Sequence, residues 1–75
     1  MAIRTENKYF NRLGSNIKDA RAERGISQVA LAKLADIDRS YISQLENGLV
    51  NPSLSLLLGL ATALHVPLLT LINME

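Results

Sequence analysis

Six hydrogen-bonding side chains, Asp38, Arg39, Ser40, Tyr41, Ser43 and Gln44, crowd into the short stretch DRSYISQLENG between Asp38 and Gly48. Ile42 and Leu45, three residues apart, mark the side that a helix would bury there. Arg39, Ser40, Ser43 and Gln44 therefore share the opposite side. The major groove of B-DNA admits one helix, and base edges are read by side chains of these types: Arg to guanine, Gln to adenine, Ser to either. The cluster is arranged to read bases. Catalysis has no comparable support, because Glu46 lacks a paired carboxylate or a nucleophile around it, so no catalytic residue is assigned. His65 has neither a cysteine nor a second histidine to share a metal with and is read as a helix-end residue, so no metal or other cofactor is implied.

A reading face needs elements to hold it, and the chain offers helices only. Phe10, Leu13, Ile17 and Ala20 recur at helical spacing, with Lys18, Arg21 and Arg24 on other faces and Gly25 where a first helix would end. Gly14 within that run predicts a helix that starts late or frays before it, at a cost of about 1 kcal/mol against alanine. Ser27 is a good N-cap for a second helix carrying Leu31, Leu34 and Ala35, and Asp38 for a third that Asn47 and Gly48 end. Ser53 caps a fourth carrying Leu54, Leu57, Leu58, Ala61 and Leu64, and Pro67 opens a short fifth with Leu68, Leu71 and Ile72. The expectation is a single all-α domain over residues 1–75, a compact five-helix bundle, with residues 1–8 a flexible lead-in.

Composition narrows the function. A chain of 75 residues buries only roughly 60% of its unfolded surface, and without cysteine it has no disulfide to compensate. A second chain is the stabiliser left. All eight Lys and Arg residues precede Ser40, against five acidic ones there, whereas only Glu46 and Glu75 are charged after it. One end of the molecule suits anions and the other burial. The polar N-terminus shows no targeting segment. The leucine-rich run from Leu54 is broken by Gly59, Thr62, His65 and Pro67, a poor membrane span. A soluble cytoplasmic protein without membrane contact is expected.

The second and third helices, each about two and a half turns and joined by roughly three residues around Asp36 and Ile37, form a helix-turn-helix. At these residues GISQVALAKLADIDRSYISQLENG closely resembles the Cro and phage-repressor (XRE-type) helix-turn-helix family, in its G-x-S/T-Q-x-x-L-A opening and its I-S-x-x-E-x-G close. The likeness extends from about Leu13 to about Val66, and NPSLSLLLGLATAL is similar to the family's fourth helix. It implies a lambda-repressor-like DNA-binding domain. The internal DRSYIS resembles the small controller proteins of restriction-modification operons, although these tend to carry Arg just after the reading helix, where this chain has Asn47, Leu49, Val50 and Asn51.

The resemblance implies roles residue by residue. Gln28 matches a position that touches a phosphate and braces the reading helix. Arg39, Ser40 and Gln44 match base-contacting positions, with Ser43 on the same face. Tyr41 matches one directed to the DNA backbone or a distorted base step. Asn47 and Asn51 match phosphate-contacting positions, and Arg21 with Glu46 matches a buried structural ion pair. Each role has a plainer rival: Arg39 solvated or paired with Asp36 or Asp38, Tyr41 packing, Gln28 only starting a helix, Ser43 only permitting close approach.

The leading expectation is a sequence-specific transcriptional regulator that binds a palindromic operator in double-stranded DNA as a homodimer, because one reading helix reaches only about three to five base pairs. The apolar surplus near the C-terminus supplies the interface, with Leu56, Leu69 and Ile72 meeting their two-fold copies. An antitoxin that binds DNA and a toxin partner is one alternative. An adaptor using the same fold for protein contacts is another, but its third helix should turn apolar residues outward. No small-molecule effector is expected, for five short helices leave no domain to enclose one.

Overall fold

The computed structural model describes the backbone of residues 2–75 and the side chains of residues 8–75. The lead-in of residues 1–8, expected to be flexible, lies outside those side chains save for Lys8. Five helices follow one another, α1 (Ala2–Arg24), α2 (Gln28–Ala35), α3 (Arg39–Glu46), α4 (Leu54–Leu64) and α5 (Leu68–Ile72), with no strand among the described residues.

Local chemistry sets most of the boundaries. Ser27 Oγ accepts the Ala30 amide at 3.0 Å and Ser53 Oγ accepts that of Leu56 at 3.1 Å, each satisfying a donor left unpaired at a helix start. Asp38 stands at the N-cap of α3, yet its carboxylate makes no capping hydrogen bond, and only its backbone carbonyl takes part, accepting from Tyr41 and Ile42. Gly48, at φ +73°, ends α3 in the left-handed conformation that glycine adopts freely. Asp36 does the same for α2 at φ 57°, its side chain being one of the few that tolerate it, and so turns the chain toward α3 within three residues. His65 closes α4 at φ 57°, its N–H bonding the Ala61 and Thr62 carbonyls.

α1 runs through Gly14 without a break, contrary to the late start expected from that residue. Contact explains it. α1 lies across the last turn of α3, where a Cβ on Gly14 would meet the carbonyl oxygens of Leu45 and Glu46. The glycine is there for close approach.

The core joins Leu13, Ile17 and Ala20 of α1, Leu31 and Ala32 of α2, Ile42 and Leu45 of α3, Leu57, Leu60, Ala61 and Leu64 of α4, and Leu71 of α5. Three expectations about it change. In α2 the inward row is Gln28, Leu31, Ala32 and Ala35, at i, i+3, i+4 and i+7, which sends Leu34 outward at 58% exposure. In α4 the inward row is Leu57, Leu60, Ala61 and Leu64, so Leu54 and Leu58 are exposed and Leu60, unassigned from sequence, is fully buried. Phe10 is only half-buried. On α5, Leu71 is the one residue buried fully, and Ile72 lies at the surface, where the pairing expected of it requires it to be.

Candidate nucleic-acid interface

The face expected to read bases is the side of α3 away from Ile42 and Leu45. Arg39, Ser40 and Gln44 are exposed on it, and Ser43 is half-buried beside them. Arg39 makes no ion pair with Asp36 or Asp38; the one pair among the described residues is Arg21 with Glu46. Tyr41 is half-buried and packs against the core, so its ring is shared between interior and surface. Asn47 and Asn51 are both exposed beyond the helix, and Asn47 Nδ2 donates to the Ser43 carbonyl at 2.9 Å.

Behind this face three helices are tied at one carboxylate. Arg21 of α1 donates from Nε to Glu46 Oε2 at 2.7 Å and from Nη2 to Oε1 at 3.0 Å, a bidentate pairing that fits the planar guanidinium. Its remaining arm, Nη1, reaches the Ile26 carbonyl in the turn before α2 at 3.0 Å. Gln28, on the first turn of α2, donates from Nε2 to Glu46 Oε1 at 3.0 Å. The Glu46 side chain is only 3% exposed. Burial alone would push its carboxyl up, but the hydrogen bonds from Arg21 and Gln28, with the charges of Arg21 and Lys18, hold it below the ordinary glutamate value. Arg21 is in turn raised by the hydrogen bond to Glu46, against the opposing effect of burial. No buried side-chain polar atom among the described residues lacks a partner. The start of α2 and the end of α3 are thus fixed to each other and to α1.

Two participants carry no sequence signal of their own. Lys18 resembles any solvated lysine until the fold brings its charge toward Glu46. Gly14 reads as a weak point of a helix until α3 is seen crossing it. Leu56, Leu69 and Ile72, expected from the sequence to meet a second copy, lie on α4 and α5, apart from this face of α3. Leu69 is 71% exposed and Ile72 36%, whereas Leu56 is half-buried and packs against the core.

The helix-turn-helix family model matches residues 17–71, which includes the Arg21–Glu46 pair, all of α3 and α4, and α5 as far as Leu71. The chain belongs to the helix-turn-helix family. It is 40% identical over 63 residues to the immunity repressor protein of Bacillus phage phi105, a match that covers 84% of this chain and 44% of the repressor. It is 39% identical over 62 residues to the HTH-type transcriptional regulator SinR of Bacillus licheniformis, covering 81% of this chain and 56% of SinR. This helix-turn-helix chain thus spans about half the length of these relatives. Among solved structures, the restriction-modification controller protein C.AhdI from Aeromonas hydrophila superposes with a TM-score of 0.81 at 39% identity, covering 83% of this chain and 94% of C.AhdI. These relatives are transcriptional regulators, a non-enzymatic class. No described helix is long and apolar enough to cross a membrane.

Proposed function

We propose that the chain is a sequence-specific DNA-binding transcriptional regulator that acts in the cytoplasm as a homodimer on a palindromic operator. The observation that carries this reading is the exposed, largely uncharged polar face of α3, held from behind by the Arg21–Glu46–Gln28 junction. Arg39, Ser40 and Gln44 read base edges in the major groove, with Ser43 at closest approach. The Gln28 amide nitrogen has two hydrogens, and with one given to Glu46 the other is free for a phosphate oxygen. Asn47 and Asn51 meet the backbone at the opposite end of α3, and Tyr41 meets it with the part of its ring that packing leaves open.

The homodimer rests on the apolar surface that α4 and α5 leave uncovered. Leu69 and Ile72 present themselves on α5, and the exposed side chains of Leu54 and Leu58 on α4 add to the apolar area. Leu56 contributes from its half-buried position. Two-fold pairing there would place the two reading helices about 34 Å apart, one turn of the duplex. The likeness to C.AhdI supports the finer reading, a controller of a restriction-modification operon.

Selection of bound fragments from random DNA tests the proposal. It predicts an imperfect palindrome with half-sites roughly ten base pairs between centres, and Arg39→Ala losing about 1 to 3 kcal/mol on the selected site with much less change on random DNA. Equal losses on both would reduce Arg39 to a phosphate contact. Recovery of no preferred sequence would reject the reading.

A further inference from the structure

α5 is an unusually thin element to carry a dimer contact. It has five residues, and one of them, Leu71, is fully buried. What else fixes it comes from the far end of the sequence. The half-buried side chain of Asn16, on α1, donates from Nδ2 to the Leu71 carbonyl at 2.9 Å and to the Asn73 carbonyl at 2.7 Å. These are carbonyls at the end of α5, the groups that a helix C-terminus leaves without an internal partner. Both hydrogens of one amide nitrogen are used, so the two bonds define a direction as well as a distance.

The same helix holds the reading unit. Arg21, five positions after Asn16 on α1, grips Glu46 at the end of α3. α1 therefore bears both fixings: one to the helix proposed to read DNA, the other to the helix proposed to meet its two-fold copy. The angle between α3 and α5 is set through this shared rod, and in a dimer that angle decides how far apart the two reading helices fall.

We propose that Asn16 is a positioning residue for dimeric DNA recognition, fixing α5 on α1 so that the two reading helices match one half-site spacing. The inference rests on the homodimer reading above. Asn16 touches neither DNA nor the partner; it acts through the orientation of Leu69 and Ile72. Without its amide, α5 stays attached through Leu71 but loses its fixed direction, and the dimer samples a range of separations.

The test uses the full chain and a set of operators that carry the selected half-sites at about nine, ten, eleven and twelve base pairs between centres. Wild type should bind one spacing best and fall off on either side. Asn16→Ala should lose about tenfold on that best spacing, show a flatter profile across the set, and bind a single half-site as wild type does. Asn16→Ser, which keeps one hydroxyl donor, gives an intermediate profile and serves if the alanine variant does not fold by circular dichroism. A spacing profile in the Asn16 variants identical to that of wild type overturns this inference and leaves the homodimer reading standing. A wild type that shows no spacing preference, or binds one half-site as tightly as two, overturns both.

Discussion

The two halves of this molecule are held by different physics. From Leu13 to Glu46 each helix interleaves polar and apolar residues, and the centre of that half is a bidentate ion pair on a carboxylate that is 3% exposed. From Leu54 to Ile72 there is no charged residue at all, and cohesion comes from leucine packing. Removing a part from the first half should leave a buried charge without its partner, and removing one from the second should leave a void. The first half fixes a shape that can read a surface. The second provides mass for the core and spare apolar area outside it.

The largest expected effect therefore lies in the first half. Glu46→Ala strands the Arg21 guanidinium and unbinds Gln28, and breaking a buried pair in this way costs about 3 to 5 kcal/mol, a large share of what so small a domain has. DNA binding should fall only as a consequence of unfolding. A melting temperature equal to that of wild type would show that the junction is decorative. The pair also has a pH signature. Because Glu46 is held below its ordinary value, its contribution is complete above the unfolded pKa of about 4.3 and declines as pH falls through the lower folded value. Glu46→Gln, which cannot ionise, should therefore melt below wild type at pH 7, with the gap narrowing as the pH is lowered below about 4.

Leu60→Ala is the counterpart in the second half. Leu60 has no exposed surface, and truncating such a residue costs about 2 to 5 kcal/mol, depending on how far its neighbours relax into the space. Leu58→Ala, two residues away and 48% exposed, should change monomer stability by about 0.5 kcal/mol or less. Equal losses at both positions would mean that Leu58 is covered in solution, which would favour the homodimer. Chemical denaturation at two protein concentrations separates these outcomes, because stability lent by a second copy depends on concentration.

The same contrast decides what the amino-acid sequence reveals. In α3 a polar residue stands against nearly every apolar one, so Ile42 and Leu45 could be assigned inward and Arg39, Ser40 and Gln44 outward from spacing alone. In α4 leucine occupies 54, 56, 57, 58, 60 and 64, and two rows at i, i+3, i+4 and i+7 spacing compete: 54, 57, 58, 61 and 57, 60, 61, 64. The pattern cannot choose between them. Packing against α2, α5 and α1 chooses the second. The five helices and most of their ends were legible, because Ser27, Gly25, Ser53 and the Asn47–Gly48 pair signal locally. Asn16 and Gly14 were not, since each acts on a segment at least thirty residues away in the chain.

Gly14 permits a sharper test of that last point. Local reasoning says that alanine there should improve α1 by about 1 kcal/mol. The fold says the reverse, for the new Cβ would meet the Leu45 carbonyl and lie 2.6 Å from that of Glu46. Backbone has to move, and such overpacking costs about 1 to 3 kcal/mol. Gly14→Ala should lower the melting temperature and, by pushing α1 off α3, lengthen the Arg21–Glu46 contact. An alanine variant that melts higher would mean α1 does not lie against α3 as described.

The smallest effects expected are at the helix starts, where the two halves can be compared with like substitutions. Ser53 Oγ accepts the Leu56 amide at the head of α4, so Ser53→Ala should cost about 1 kcal/mol, the usual loss of a capping bond. Asp38 occupies the same position at the head of α3 without such a bond. Its carboxylate can favour α3 only as a negative charge near the positive end of the helix, an exposed contribution of about 0.3 to 1 kcal/mol that salt screens. Asp38→Ala should therefore cost less than Ser53→Ala, and its cost should fade between low salt and 1 M salt, whereas the loss at Ser53 should persist. Asp38 also flanks the face proposed to read bases, where its charge would repel phosphate, so the same substitution should strengthen binding to random DNA even as it slightly weakens the fold. Thermal melts of both variants across salt concentrations decide the matter. A loss at Asp38 that is as large as that at Ser53 and unchanged by salt would mean its side chain does cap α3 in solution.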